Sequence, residues 1–165
     1  AASRLWLFLQ AQAAVGVILV ASVVLVAAKA GPMTLWDAAV CALALLALAG
    51  EATADAQLRN FKARNAGRNA ICDTGLWALS RHPNYFFEWL FWLAIALLAL
   101  TFDGPDWSWL ALLAPTVMYI VLVYGSGVPH SEAQMLRTRG ARFAEYQARV
   151  PMFFPDLKRM VKGAA

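Results

Sequence analysis

Charged residues are scarce in this sequence. Asp, Glu, Lys and Arg make up 15% of the 165 residues, whereas hydrophobic residues make up 61% and the mean hydropathy is +0.57. Soluble domains usually contain about 25% charged residues. The composition therefore excludes an ordinary soluble domain and indicates a protein whose solvent is the lipid bilayer.

Cysteine and histidine are also rare, with two residues of each. Cys41 falls inside an apolar run and Cys72 in a basic loop, so we expect them at different depths and predict no disulfide. The two histidines, His82 and His130, would lie on the same side of the membrane, but no third ligand follows at helical spacing. We therefore predict no metal site.

The small excess of positive charge does not indicate a nucleic-acid partner. The net charge is +4, but the basic residues follow the apolar segments and form no separate basic domain. The sequence thus predicts binding to a lipid bilayer and no binding to nucleic acid.

Four stretches come close to the ~20 mostly apolar residues that a membrane-spanning helix needs. They cover residues 5–28, 35–55, 83–102 and 107–128, and a polar tail follows at 129–165. The first stretch is uncharged and lacks a clear cleavage site, so it is interpreted as a retained span and not as a signal peptide. The predicted fold is an all-α integral membrane protein with four transmembrane helices and a cytoplasmic helical tail. These elements make up a single membrane domain over residues 1–165.

The distribution of basic residues predicts the orientation of the spans. Thirteen of the fourteen Lys and Arg residues fall on the side of the amino terminus, and only Lys29 falls on the other. Basic loops remain in the cytoplasm. We therefore expect a multi-pass membrane protein with both termini in the cytoplasm.

The tail predicts two short helices. Ser131 and Gln134 have the spacing of a capping box and predict the start of the first helix. Gly140 predicts its end, and the segment ARFAEYQAR predicts the second helix.

Two carboxylates lie where the bilayer would make them costly. Thirteen uncharged residues, about 20 Å of helix, separate Glu51 from Asp37. Since the hydrocarbon layer is about 30 Å thick, Glu51 should lie below the interface. Glu88 follows Pro83 by five residues, so it should face other helices or a wet cavity. A structural hydrogen bond to a neighbouring helix is the alternative for Glu88.

The string SRHPNY, residues 80–85, contains the start of the third span. A helix that begins at His82 or Pro83 presents free N–H groups, and Arg81 adds a positive charge, which together predict an anion site. Asn84 adds donors, and Tyr85 adds an aromatic face and a hydroxyl. Anchoring at the membrane interface would explain Arg81 and Tyr85 but leaves Asn84 without a role.

Three segments together resemble a known family. GEATADAQLRNFK, DTGLWALSRHPNYFFEW and PHSEAQMLRTRGARFAEYQARVPMFFP are similar, in order and spacing, to the carboxy-terminal half of bacterial steroid 5-alpha-reductase-like membrane proteins. The same layout is shared more distantly with the isoprenylcysteine carboxyl methyltransferases. The resemblance implies a helical bundle that binds NADPH in the reductases or S-adenosylmethionine in the methyltransferases.

The resemblance also implies positions for the cofactor site. Asp55, Lys62 and Arg68 match the polar helix end and loop that embrace the dinucleotide. Asn84 and Glu88 match the pair near the nicotinamide amide, and His130 or Glu132 matches the contact from the tail. With the helix-start cluster, the predicted cofactor-binding residues are Asp55, Lys62, Arg68, Arg81, His82, Asn84, Tyr85, Glu88, His130 and Glu132.

The favoured function is an NADPH-dependent reductase of an enone C=C bond in a lipid-like or steroid-like substrate, or the cofactor-binding half of one. Many cytoplasmic cations suit the phosphates of NADPH better than a sulfonium group. Glu51 is the nearest candidate for the catalytic acid. The alternatives are an S-adenosylmethionine-dependent membrane methyltransferase and a non-catalytic accessory subunit of a membrane complex.

Two departures from the family matter. The family has Gly where this chain has Phe87, which would block a close approach of backbone or cofactor. The reductases have about seven spans, whereas this sequence matches only the last four. We therefore expect either further amino-terminal spans or a partner subunit.

Overall fold

A computed structural model of the chain describes residues 2–29, 31–66, 68, 70–100 and 106–158, without the side chains of Ala2 and Arg4. Helices and turns make up this part, and no strand occurs among the described residues, which confirms the predicted all-α class. The α-helices are α1 (Ala2–Ala27), α2 (Leu35–Arg64), α3 (Pro83–Ala99), α4 (Leu113–Val123), α5 (Val128–Arg139) and α6 (Ala141–Arg149). Two 3-10 helices cover Gly75–Ala78 and Ser108–Leu112.

Three helical segments within the described ranges are long and apolar enough to cross a membrane. They are Leu5–Ala27, Leu35–Arg64 and Ser108–Arg139. Three of the four predicted spans are therefore supported. The remaining helix, α3, has 17 residues, or about 26 Å, which is shorter than a 30 Å hydrocarbon layer.

Some predictions concern residues outside the described part of the chain. They are the end of the third span at residues 101–102, the end of the tail at residues 159–165, and two of the thirteen basic residues on the side of the amino terminus, Arg159 and Lys162. The predictions for these positions stay predictions.

The chain divides into two compact units. The first contains Ala1–Leu46 and Trp89–Ile120, and the second contains Ala47–Glu88 and Val121–Ala165. The prediction of a single domain over residues 1–165 stays a prediction.

Small side chains form much of the core of the first unit. One cluster joins Leu25 to Ala96, Ala99 and Ala111, and a second joins Val40 and Ala44 to Ala94. Alanines allow helix backbones to approach closely, which is typical of helices that pack in membranes.

A polar cluster at Asp37 explains where α2 begins. The Thr34 backbone N–H donates to Asp37 Oδ2 at 2.8 Å, and the Asp37 backbone N–H donates to Thr34 Oγ1 at 3.2 Å. This reciprocal pair is a capping box. Lys29 forms an ion pair with the same carboxylate.

Long-range hydrogen bonds hold the second unit together around the loop before α3. Tyr146 Oη donates to the Trp77 carbonyl at 2.6 Å, and Trp77 Nε1 donates to the Ala54 carbonyl at 2.9 Å. Ser80 Oγ donates to the Phe153 carbonyl at 2.8 Å. These bonds connect α2, the loop, α6 and the tail, so they fix the residues at the start of α3.

The tail helices agree only partly with the predictions from the sequence. Gly140 has φ +50° and separates α5 from α6, and α6 covers the predicted segment Ala141–Arg149. The prediction that Ser131 caps α5 was wrong. The helix begins three residues earlier, at Val128, and Pro129 lies in its first turn, where a missing N–H costs nothing.

Candidate functional site

A cavity of about 430 Å³ lies within the second unit. Residues from α2, the 70–77 segment, the start of α3, α5 and α6 line it. The cations at its wall are Lys62, Arg81 and Arg139. The aromatic residues are Phe61, Trp77, Tyr85, Phe143 and Tyr146. The other polar residues are His82, Asn84, Ser131, Gln134 and Thr138. Among the described residues no carboxylate lines the cavity, so its wall is suited to an anionic ligand with flat rings.

The cavity brings together half of the predicted cofactor residues. Those that line it are Lys62, Arg81, His82, Asn84 and Tyr85. Those that do not contribute to its wall are Asp55, Arg68, Glu88, His130 and Glu132. Arg68 and His130 are exposed, whereas the three carboxylates among them are partly buried.

Glu132 is a structural partner for residues of the cavity wall. Its Oε1 accepts from Arg81 Nε at 2.8 Å and lies 3.1 Å from His82 Nε2, and its Oε2 accepts from Gln147 Nε2 at 2.6 Å. The interaction holds the start of α3 against α5 and α6.

The Arg81 guanidinium already donates hydrogen bonds to acceptors of the protein itself. Besides binding Glu132, its Nη1 donates to the carbonyls of Gln147 at 2.9 Å and Val150 at 3.0 Å. The His82 backbone N–H donates to Ser80 Oγ at 3.2 Å. The predicted anion site at the start of α3 is therefore largely filled by the protein's own acceptors.

Two other cations at the cavity wall have no carboxylate partner among the described residues. Lys62 is exposed and forms no ion pair within this part of the chain. Arg139 Nε donates to the Ala70 carbonyl at 2.9 Å, and its Nη1 lies 3.0 Å from Met135 Sδ. Since both acceptors are uncharged, Lys62 and Arg139 leave the cavity wall with positive charge that a ligand can neutralise.

Two features at the start of α3 suit a planar ligand. The rings of His82 and Tyr85 stack at 5.3 Å between centroids, with 5° between their planes. Asn84 Oδ1 is buried and has no hydrogen-bond partner among the described residues. A buried acceptor without a donor costs about 1–3 kcal/mol. An amide N–H of a bound ligand would remove that cost.

Two ionisable groups in the wall remain protonated near neutral pH. Burial raises the pKa of the Cys72 thiol, and burial likewise raises the pKa of Tyr146. A protonated thiol is a poor nucleophile. The cavity wall therefore offers binding groups and not a reactive thiolate.

The carboxylates of α2 and α3 do not line the cavity, but Asp55 and Glu88 are near enough to Tyr85 of its wall for electrostatic interaction. Glu51, Asp55 and Glu88 are partly buried, and Glu88 is near enough to the other two for electrostatic interaction. Asp55 and Arg59 are four residues apart on α2, and they form no ion pair with each other. These carboxylates form a separate acidic group on α2 and α3.

Phe87 does not narrow the cavity. Its ring packs against Gly50 of α2, where an added Cβ would lie 2.5 Å from Phe87 Cδ1. It is not one of the lining residues. The bulky residue at this position packs against a glycine on α2, and its predicted effect on a bound cofactor stays a prediction.

Arg139 and the aromatic residues of α6 line the cavity but are not among the residues predicted from the sequence. Ser131, Gln134, Met135 and Thr138 recur at spacings of three and four, which places them on one face of α5. This periodicity, extended to Arg139, was the available signal. Phe143 and Tyr146 come to the wall through packing of α6, which no local pattern indicates.

A family model described as "Protein of unknown function (DUF1295)" matches residues 1–150. No curated protein and no solved structure is significantly similar to the chain. The match covers nine-tenths of the sequence, and the chain belongs to the DUF1295 family.

Proposed function

We propose that this protein is a membrane-embedded, NADPH-dependent reductase of an enone C=C bond in a lipid-like or steroid-like substrate. The observation that carries the proposal is the cavity wall, which combines unneutralised cations and aromatic rings with no carboxylate among the described residues. The resemblance of RHPNYFFE and the tail to the steroid 5-alpha-reductase type supports the same reading. The proposed location is a bacterial inner membrane, with both termini in the cytoplasm.

The positive charge of the cavity wall favours NADPH over S-adenosylmethionine. Phosphate groups bind Lys and Arg through charge-assisted hydrogen bonds. Lys62 and Arg139 are the cations available for this, because Arg81 is neutralised by Glu132. A sulfonium group would be repelled by the same charges.

Other residues of the cavity wall would bind the nicotinamide ring and its carboxamide. Asn84 Oδ1, which lacks a partner, would accept from the carboxamide N–H of the nicotinamide. The stacked His82 and Tyr85 would offer a flat surface to a ring. When bound, NADPH supplies the hydride.

The proton donor is proposed to be Glu51. Negative charge develops on the carbonyl oxygen of an enone as the alkene accepts hydride, and an acid placed beside that oxygen stabilises it. Glu51 belongs to the acidic group on α2 and α3, apart from the cavity wall. A substrate that enters from the lipid would then reach Glu51 without passing the phosphates of NADPH, which would bind at the cavity wall.

One pair of variants tests the cofactor site. Lys62 and Arg64 are both exposed cations in the last turn of α2, but only Lys62 lines the cavity. Lys62→Gln should weaken NADPH binding about tenfold, because it removes a charge-assisted hydrogen bond of about 1.4 kcal/mol. Arg64→Gln should leave binding within about twofold. Titration of the purified protein in detergent, followed by cofactor fluorescence, measures both.

The same titration separates the alternatives. A methyltransferase has one observation in its favour, since Trp77, Tyr85 and Tyr146 could hold a sulfonium through cation–π contacts. Tight binding of S-adenosylmethionine without a response to NADPH would establish that alternative and end the reductase proposal. Binding of neither cofactor would favour a non-catalytic accessory subunit. Equal losses in Lys62→Gln and Arg64→Gln would show that NADPH binds elsewhere.

A further inference from the structure

The imidazole ring of His82 is held at one edge and on one face. The residue is buried and lines the cavity. Its Nε2 lies 3.1 Å from Glu132 Oε1, and its face stacks on the ring of Tyr85. These two contacts determine the position and the plane of the ring, so they also determine where each ring nitrogen points.

The other partners of Glu132 determine which ring nitrogen carries the proton. Glu132 Oε1 also accepts from Arg81 Nε at 2.8 Å, and Glu132 Oε2 accepts from Gln147 Nε2 at 2.6 Å. Arginine is always charged, and an ionised carboxylate can only accept hydrogen bonds. The contact with His82 therefore needs an N–H at Nε2. In a histidine, the hydrogen bond of one ring nitrogen fixes the state of the other.

The second ring nitrogen of His82 is unpaired. Nδ1 forms no hydrogen bond with any described residue, so nothing in this part of the chain holds a second proton on the ring. Nδ1 is not one of the fully buried atoms, and since the residue lines the cavity, a ligand there can reach it. Asn84 Oδ1 on the same wall is also an acceptor without a donor among the described residues.

We propose that Glu132 is a positioning residue, which holds His82 in the Nε2–H tautomer so that Nδ1 accepts a hydrogen bond from an N–H group of the ligand. This inference rests on the proposed function, in which the donor is the carboxamide of NADPH. The amide nitrogen has two N–H bonds, one for Asn84 Oδ1 and one for His82 Nδ1. The lone pair on Nδ1 repels phosphate oxygens, so His82 selects a neutral donor and leaves the phosphates to Lys62 and Arg139.

The tautomer can be tested without a ligand. The chain has two histidines, and His130 is exposed. Nitrogen NMR of isotope-labelled histidine in the purified protein, at about pH 8, distinguishes an N–H from a bare ring nitrogen. His130→Gln assigns the remaining signals to His82. We expect one tautomer at His82, with the proton on Nε2, whereas His130 should average over both tautomers. A proton on Nδ1, or the same averaging at His82, would overturn the inference whatever the cavity binds.

A pair of ligands tests the acceptor. The 3-acetylpyridine analogue of NADPH has a methyl ketone in place of the carboxamide, so it lacks the N–H donor. NADPH should shift the Nδ1 resonance of His82, and the analogue should leave it near its position in the free protein. His82→Gln keeps an N–H donor for Glu132 but removes Nδ1. This variant should weaken binding of NADPH about fivefold more than binding of the analogue, equivalent to about 1 kcal/mol.

The results separate this inference from the proposed function. If the wild type binds NADPH but the Nδ1 resonance does not move, the acceptor role of His82 is wrong and the reductase proposal stands. Equal weakening of both ligands in His82→Gln would lead to the same conclusion. If the wild type does not bind NADPH, the proposed function fails, and the carboxamide is not the donor to His82.

Discussion

Glu132 shows how much one side chain contributes to the cavity without lining it. It lies on α5. It binds Arg81 and His82, which directly precede α3, and Gln147 on α6. Arg81 and Glu132 have side chains that are 11% and 12% exposed. A nearly buried ion pair of this kind is stable only while both members remain, because each charge has lost most of its hydration.

Removal of Glu132 should therefore destabilise the protein. Glu132→Ala leaves the Arg81 guanidinium largely buried without a carboxylate, and we expect a loss of about 3 kcal/mol in the free energy of unfolding. Denaturant titration in detergent, followed by tryptophan fluorescence, measures the loss. The matched control is Glu145→Ala on α6, where an exposed carboxylate is removed and the change should stay within about 0.5 kcal/mol. Similar losses in the two variants would show that the ion pair contributes little.

At the scale of elements, α6 is held by one buried face. Phe143, Tyr146 and Val150 follow at spacings of three and four, and together they pack against Ile71 and Met135. Tyr146 adds a hydrogen bond from its hydroxyl to the Trp77 carbonyl. This bond exists only while the phenol is protonated.

The stability that Tyr146 provides should disappear in alkali. Burial raises its pKa above the usual value of about 10. The unfolded chain then loses this proton at a lower pH than the folded protein, so the contribution is complete below pH 10 and declines as the pH rises further. Tyr146→Phe should cost about 1 kcal/mol at pH 8, and the difference from wild type should narrow between pH 10 and 11. Unfolding midpoints at each pH provide the measurement, and a constant difference would contradict this explanation.

An element could be predicted from the sequence where local interactions determine it. Pro83 as the first residue of α3 and Gly140 as the break before α6 were predicted, because proline and glycine act through the local backbone. The start of α5 was mispredicted, since Ser131 matched a local capping pattern that the structure does not use.

The candidate site was likewise predictable only where its residues are close together in the sequence. His82, Asn84 and Tyr85 form one compact string, so their common location was visible in the sequence. Arg139 and Tyr146 reach the same wall through contacts across about 70 positions, to Ala70 and Trp77. Such pairings depend on how helices pack, which one sequence does not reveal.

At the scale of the whole molecule, composition carries the strongest inference. The scarcity of charge predicted a membrane protein, and three helical segments among the described residues have the length and hydropathy for spanning. Orientation depends on a different property, the placement of the basic residues. Only Lys29 lies between the first two spans, and it is paired with Asp37. That short connection therefore presents little net positive charge to either side of the membrane.

The positive-inside rule then predicts which surfaces a reagent can reach from outside the cell. Met33 in the connection between α1 and α2 is 73% exposed, and Leu157 in the tail is 65% exposed. With Cys41 and Cys72 replaced by Ser, Met33→Cys should react with a membrane-impermeant maleimide in intact spheroplasts. Leu157→Cys should react only after the membrane is permeabilised, because the proposed orientation places the basic tail in the cytoplasm. The reverse pattern would invert the orientation and place the cavity, whose cations belong to the same basic segments, on the side without cytoplasmic NADPH. Labelling at both positions before permeabilisation would show an even number of crossings between Met33 and Leu157, whereas the predicted spans place three there.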